Sequence, residues 1–233
     1  MKLSEFAVVL LTIACGSSCA REEPITLQNG VAVAVPNDNR EAGGKLRRGT
    51  YSLQLEAKLA AWKPDADVDS MVTVQAFAED GRAPRIPAPL VRVPMGTEVR
   101  LSVLNSIADS TLIVHGLRAG TVPNDTVHVK PGTVREVAYI AKTPGTYLYW
   151  GTTRGSQIGE RWSRDSQLTG AIVIDSAGAR GRADDRIFVL TLIDIYADST
   201  RPPTKEDIWE LAINGRSWPH TERIEVPVGD TAR

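Results

Sequence analysis

The sequence predicts an all-β fold, a sandwich or barrel of short strands. Segments that alternate apolar and polar residues recur between residues 51 and 175, and Pro, Gly, Asn or Asp stands in most of the gaps between them. No segment shows the apolar periodicity of an amphipathic helix, apart from a single turn near residues 156–162. Hydrophobic residues make up 42% of the 233 residues and charged residues 24%, the balance of a soluble globular domain.

The elements follow in order from the same alternation. The predicted strands are residues 51–59, 71–78, 90–93, 97–105, 111–114, 126–129, 135–141, 145–150 and 170–175. A polar connection, residues 177–185, precedes residues 187–195 (IFVLTLIDI), whose almost continuous apolar character predicts a strand buried on both faces. Residues 209–213 predict a last strand, and the Asn214-Gly215 pair after it is a strong hairpin signal.

The N-terminus has the layout of a secretory signal peptide. Lys2 precedes an apolar run, residues 6–14, and small residues follow up to Ala20. We expect residues 1–20 to be removed after Ala20, with a lipid anchor at Cys15 or Cys19 as the alternative. The protein is thus predicted to be exported, periplasmic or extracellular, or a membrane-anchored lipoprotein, with no transmembrane segment in the mature chain.

Composition narrows the classes of partner and site. The net charge is −1 and the Lys and Arg residues are scattered, which argues against a nucleic-acid surface. Both cysteines lie in the leader, so the mature body can hold no disulfide. Residues 21–49 are rich in Gly, Asn and charge and predict a linker or loosely held arm.

Two decapeptides suggest an internal repeat. Residues 91–100 (VRVPMGTEVR) and 224–233 (IEVPVGDTAR) share Val, Pro, Gly and Arg at equivalent places. Repetition of this kind is typical of chains built from several similar β units. We therefore expect one domain at residues 50–178 and the start of a truncated second domain at 186–233, as in a fragment of a longer protein.

Residues 88–117, which run through a strand, a Gly turn and a second strand to His115-Gly116, resemble the opening of a multicopper oxidase domain. The motif Gly-Thr-Tyr-x-Tyr at 145–149, the segment 167–175 and the segment 213–233 resemble later parts of the same family. The resemblance covers about residues 85–233. It implies a cupredoxin-like (plastocyanin-like) Greek-key β-sandwich or barrel, followed by the start of a second such unit. It also implies copper and oxidation coupled to dioxygen reduction.

The resemblance also locates the copper ligands. The family's first domain carries two His-x-His pairs, which match Ile113 with His115, and Trp150 with Thr152. His115 is therefore the candidate metal ligand, and a buried histidine bonded to the backbone is the alternative reading. Trp150 is expected to fill the ligand's volume with apolar surface. A type 1 copper site, which needs a Cys thiolate with two His, cannot form from residues 21–233.

The sequence gives no sign of a catalytic or metal-binding role for the other polar candidates. His128 is expected at the surface and His220 at a domain interface. The carboxylates of Asp165, Asp194 and Glu160 have no spacing that marks them as an acid–base pair.

Three functions follow as expectations. The first is the N-terminal part of an exported multicopper oxidase-like protein. This part is expected to be inactive by itself, and whether it belongs to an enzyme stays open. The second is a copper-free binding or structural module of the cell envelope, and the third a mononuclear copper carrier centred on His115. The expected partners are missing C-terminal cupredoxin domains or an envelope protein.

Overall fold

The computed structural model describes residues 30–65, 71–179, 185–194 and 209–229. The strands, in chain order, are β1 (Ala32–Val33), β2 (Val35–Pro36), β3 (Lys45–Arg47), β4 (Thr50–Trp62), β5 (Val72–Glu79), β6 (Pro84–Ile86), β7 (Val91–Pro94), β8 (Glu98–Asn105), β9 (Leu112–His115), β10 (Thr126–Val129), β11 (Val134–Ile140), β12 (Gly145–Thr152), β13 (Thr169–Asp175), β14 (Leu190–Asp194) and β15 (Trp209–Ile213). The helices within these described ranges are two single 3-10 turns, Ile158–Glu160 and Arg164–Gln167. None of the helices there is long and apolar enough to cross a membrane. The predicted signal peptide and both cysteines lie outside these ranges.

The strands form two sheets that pack face to face, and a separate hairpin. The first sheet has the order β11-β8-β4-β5-β6-β2, with β1 and β3 also paired to β4. The second sheet has the order β10-β9-β12-β13-β7, and β14 pairs with β15 alone. The prediction of an all-β sandwich is confirmed, and the predicted strands 126–129 and 209–213 match the observed bounds.

Period-two alternation explains how the sheets face each other. Along β4, Tyr51, Leu53 and Leu55 are buried, whereas Ser52 and Gln54 between them are exposed. The buried residues join a single apolar core with side chains of the second sheet, such as Leu112 and Val114. Removal of this apolar area from water is the main favourable term in holding the sheets together.

The part of the N-terminal arm that the structure describes is paired with the first sheet. β1 and β3 pair with β4, and β2 pairs with β6, so residues 32–47 are held by the sheet where the sequence suggested a linker. Buried Asn37 donates to the carbonyl oxygens of Pro87 and Ala88 at 3.2 and 3.1 Å. These bonds satisfy buried carbonyls that would otherwise lack partners.

A chain of buried asparagines extends this contact to the C-terminal hairpin. Asn37 donates to the side-chain oxygen of Asn39, and Asn39 donates to that of Asn214. Asn214 also accepts from the backbone N–H of Val189 at 2.9 Å. The arm, the sandwich and the hairpin therefore share one hydrogen-bonded network.

The hairpin corrects one sequence prediction. Asn214 and Gly215 have φ values of 52° and 79° and form the predicted two-residue turn, since Ile213 and Arg216 exchange backbone hydrogen bonds. The segment predicted as residues 187–195 was expected to be buried on both faces. Thr191 and Ile193 are buried, but Leu190 is 61% exposed, so only one face of β14 is covered.

We predict that Asn37→Ala lowers the free energy of unfolding by about 2 kcal/mol, because it leaves buried carbonyl groups without donors. Urea unfolding followed by circular dichroism measures the change. The control is Gln54→Ala on the exposed face of β4, which should change stability by less than about 0.5 kcal/mol. Equal effects of the two substitutions would show that the arm does not stabilise the sandwich.

Candidate functional site

The four positions that match the family's ligand pairs lie together on one face of the second sheet. β9 and β12 are antiparallel neighbours, and their register sets Trp150 opposite His115 and Thr152 opposite Ile113. Side chains directly opposite each other on adjacent strands share a face. The structure therefore brings together all four residues that the sequence singled out, on the side of the sheet away from the main core.

A glycine permits this close arrangement. Gly116 follows His115 with φ of +77°, and a Cβ atom built there would lie 2.2 Å from the carbonyl oxygen of Leu148. No side chain fits in that space, so the chain can leave β9 against β12 only with Gly at this position.

The imidazole of His115 is held between an aromatic ring and a hydroxyl. Its ring stacks on the indole of Trp150, with centroids 4.1 Å apart and planes 15° from parallel. Its Nδ1 lies 3.2 Å from Oγ1 of Thr126 on β10. Burial lowers the pKa of His115, the nearby charges of His128 and Arg161 lower it further, and Asp125 partly offsets them. His115 is thus a neutral imidazole at neutral pH. It bonds to the side chain of Thr126, whereas the alternative interpretation of the sequence expected a hydrogen bond to the backbone.

On the β13 side of Trp150, away from His115 on β9, lies a guanidinium, which bonds to Thr169, the partner of Trp150 in that strand. Cζ of Arg161 lies 5.0 Å from the indole ring centroid, within the range of a cation–π contact. The guanidinium donates to the carbonyl oxygens of Gly151, Asp165 and Leu168 and to the hydroxyl of Thr169, at 2.9, 2.6, 3.2 and 2.9 Å. Burial lowers its pKa to about 10, partly offset by Asp165, so Arg161 remains a cation at neutral pH.

We refer to His115, Trp150 and Arg161 as the ring stack. Its three flat groups, an imidazole, an indole and a guanidinium, lie in succession across the face of the second sheet. The indole separates the neutral imidazole from the charged guanidinium. Trp150, which the family resemblance matches to a ligand position, contacts both of the other groups.

Thr152, the fourth position, is engaged in internal hydrogen bonds. It is fully buried, and its hydroxyl donates to Oδ2 of Asp165 at 2.6 Å and accepts from the backbone N–H of Arg154 at 3.1 Å. Oδ1 of Asp165 and Nε of Arg161 are buried without a hydrogen-bond partner in the part of the chain that the structure describes.

A trinuclear copper cluster does not fit these residues. Ile113 and Trp150 carry no suitable donor atom, and the Thr152 hydroxyl is already bonded on both sides. The Arg161 cation lies against the same face and would repel a copper ion. Within residues 30–65, 71–179, 185–194 and 209–229, no group of three or more His, Cys, Asp or Glu side chains could hold a metal ion.

Of the remaining candidates, His128 lies on the same outward face and Asp165 bonds to Thr152, whereas His220 lies in another part of the structure. His128 is exposed on β10, opposite Ile113, as expected for a surface residue. His220 lies 3.7 Å from Asp65 in the loop that follows the hairpin. Glu160 is exposed, whereas Asp165 and Asp194 are buried, so these three carboxylates do not behave as one solvated set.

Arg161 is the site residue that the sequence did not reveal. It lies in an irregular loop between β12 and β13, outside every motif, and an isolated Arg in a loop is ordinarily solvated. The 3-10 turns on either side of Arg161 return the chain over Trp150, and no spacing rule predicts that contact.

A cleft lies between the arm and the hairpin. Its lining includes three arginines and three carboxylates, Arg40, Arg85, Arg216, Asp38, Glu41 and Glu222, together with His220. Arg40 forms ion pairs with Asp38 and Glu222. Since its charges balance, the cleft favours no particular class of ligand.

Comparisons with known proteins agree with this fold. A family model described as multicopper oxidase matches residues 68–178. A Kuenenia stuttgartiensis protein, described as a probable nitrite reductase-hydroxylamine oxidoreductase fusion protein, is 28% identical over 154 residues, which cover 61% of this chain and 17% of that protein. The blue copper oxidase of Nitrosomonas europaea is 21% identical with a TM-score of 0.52, and multicopper oxidase mgLAC is 16% identical with a TM-score of 0.52.

Both solved structures match 75% of this chain and 56% of their own length. The chain thus spans a little over half of these structures and 17% of the fusion protein. The likeness to the two structures shows the cupredoxin-like fold, and the family match covers most of the sandwich. The match at residues 68–178 thus supports the resemblance of this domain to the multicopper oxidase family.

Proposed function

We propose that this chain is the N-terminal part of a longer, exported protein of the multicopper oxidase type, and that its first domain is a scaffold that holds no copper cluster. Copper-dependent oxidation coupled to dioxygen reduction would then depend on residues outside this chain, and the chain alone is inactive. The ring stack carries the proposal, because an indole and a cation occupy the face where the family's ligands belong.

Two further observations support the proposal. The chain matches only 56% of the length of the two solved relatives, and residues 224–233 share Val, Pro, Gly and Arg with residues 91–100 at equivalent places. The leader-like residues 1–20 support export. The mature body has no cysteine, so a type 1 copper in the longer protein would need a cysteine from elsewhere.

A second function, a copper-free binding or structural module of the cell envelope, is favoured by the same ring stack if the longer protein also lacks copper. A mononuclear copper carrier centred on His115 is the third. The stack disfavours it, because Trp150 covers one face of the imidazole and Arg161 adds a nearby positive charge. Copper content separates the three.

We predict that the purified chain, loaded with Cu(II) and desalted, retains far less than one copper per molecule and consumes no dioxygen with a one-electron donor. Elemental analysis and electron paramagnetic resonance measure the metal, and an oxygen electrode measures the activity. One bound copper that is lost in His115→Ala would support the carrier and contradict the scaffold. The same analysis of the longer protein separates the oxidase from the copper-free module.

We also predict that Arg161 weakens a copper site rebuilt with histidines on this face. The triple variant Ile113→His, Trp150→His, Thr152→His should bind Cu(II) at least about tenfold more tightly once Arg161→Gln is added. A unit charge about 8 Å from another in a medium of effective dielectric about 20 is repelled by about 2 kcal/mol, which exceeds a tenfold change in affinity. Isothermal titration calorimetry measures both dissociation constants.

The control for this comparison is Arg161→Gln in the otherwise unchanged chain, which keeps N–H donors for the surrounding carbonyl groups and should bind no copper. Circular dichroism shows whether each variant is folded. Equal affinities of the triple variant with and without Arg161 would show that the cation does not oppose copper.

Export predicts a defined N-terminus. Mass spectrometry of the protein from the envelope fraction of its natural host should find a chain that begins at Arg21, or a lipid adduct on Cys15 or Cys19. A full-length chain that begins at Met1 and is recovered from the cytoplasm would contradict export.

A further inference from the structure

One end of the sandwich carries basic side chains that the candidate site does not use. Lys45 and Arg47 lie on β3, Arg48 lies in the turn between β3 and β4, and Lys142 follows β11. All four are exposed, and none forms an ion pair within the part of the chain that the structure describes. We call these four residues the basic end.

Backbone hydrogen bonds join the three turns that form this end. The carbonyl oxygen of Gly49 accepts from the backbone N–H of Glu98 at 3.0 Å. The carbonyl oxygen of Ala141 accepts from the N–H of Gly96 at 2.7 Å, and the N–H of Ala141 donates to the carbonyl oxygen of Thr97 at 2.9 Å. The β3–β4 turn and the residue after β11 are therefore held at the same end of the sheet.

The first sheet offsets little of this positive charge. Lys45 and Arg100 flank one residue of β4, and Arg47 and Glu98 flank the next but one, so these four side chains share the outward face. The guanidinium of Arg100 donates to Oε1 of Glu98 at 3.0 and 2.7 Å. This pair cancels its own charge and leaves that of Lys45 and Arg47.

The second sheet contributes a small negative cluster at the same end. Asp175, the last residue of β13, accepts hydrogen bonds from Arg92 at 3.0 and 2.8 Å, and Asp185 accepts a third at 2.7 Å. The backbone N–H of Met95 donates to the carbonyl oxygen of Asp175 at 2.8 Å, which places the cluster beside the β7–β8 turn. Its two carboxylates and one guanidinium are outweighed by the four cations of the basic end.

The turn between β3 and β4 holds Arg48 in a conformation that disfavours Arg. Arg48 and Gly49 have φ values of 49° and 83°, the type I′ geometry that favours Asn-Gly. The Asn214-Gly215 turn of the same chain has nearly the same angles, 52° and 79°, with the favoured residue. Strained residues of this kind cluster at functional sites. The position thus indicates a role for a guanidinium that Asn would not supply.

Apolar side chains stand among the cations. Leu46, between Lys45 and Arg47, is 50% exposed, Ile140 is 42% exposed and Met95 is 39% exposed. A soluble polyanion gains little from apolar neighbours, whereas the boundary between lipid headgroups and acyl chains accepts both cations and apolar side chains. The combination favours a lipid surface as the partner.

We propose that the basic end docks on an anionic lipid surface, with its cations among the headgroups and the three apolar side chains at the acyl boundary. The expected export of the chain would bring it beside such a surface. The inference goes beyond the proposed function and does not depend on copper, because the ring stack lies on the other sheet.

Vesicle binding tests the proposal. The full chain is sedimented with vesicles of phosphatidylcholine, alone or mixed with phosphatidylglycerol, and we expect tighter binding to the anionic vesicles that weakens as salt is added. Each basic residue near an anionic bilayer is worth about a fivefold change in affinity. The triple variant Lys45→Gln, Arg47→Gln, Arg48→Asn should therefore bind about a hundredfold more weakly. The apolar residues 6–14 are the same in every variant.

The matched control removes the same charge from the opposite end of the strands. Lys130→Gln, Arg135→Gln, Arg154→Gln replaces three exposed residues and should change affinity by less than about threefold, because charges beyond a Debye length from the bilayer are screened. Arg48→Asn alone separates binding from folding: it should weaken binding about fivefold without lowering the melting temperature, since Asn suits the turn.

Equal losses in the two triple variants, or equal affinity of the unchanged chain for the two kinds of vesicle, would overturn the proposal. Inorganic polyphosphate separates the other source of negative charge. Polyphosphate that binds the basic end while Met95→Gln leaves vesicle binding unchanged would assign the surface to a soluble polyanion and also overturn it. Copper content is measured separately, so each of these outcomes leaves the test of the scaffold function intact.

Discussion

The buried guanidinium of Arg161 is the constraint on which the candidate site depends. A cation removed from water needs several good partners, because its desolvation is costly. The partners are backbone carbonyl groups of β12, of the second 3-10 turn and of the residue just before β13, together with the Thr169 hydroxyl. The loop between the two strands must therefore fold back over Trp150. That arrangement fixes the indole, and the indole orients His115.

The strands were predictable from the sequence, whereas the contacts that define the site were only partly so. Alternation of apolar and polar residues located β4 and β10, because one face of each strand is buried and the other is not. The family resemblance located Ile113, His115, Trp150 and Thr152. Arg161 escaped prediction because its burial results from tertiary packing of an irregular loop, for which a single Arg in the sequence gives no signal.

The wrong prediction for residues 187–195 has a physical explanation in the same terms. A continuous apolar run does indicate a strand that is covered on both faces. In this chain Ile193 is buried against the sandwich, whereas Leu190 meets solvent. The sequence pattern matches a strand of a complete two-sheet unit, and the described residues supply the cover for one face only.

Along β9 and β12, successive side chains point to opposite faces of the sheet, so the residues that form the core differ from those of the candidate site. On β9 and β12 the inward residues Leu112, Val114 and Tyr149 are buried in the main core, and they hold the two sheets together. The outward residues Ile113, His115 and Trp150 are only partly buried and lie outside this core, so they contribute less to holding the two sheets together. The inward residues of these strands thus maintain the cupredoxin-like fold, while an indole and a guanidinium lie on the outward face.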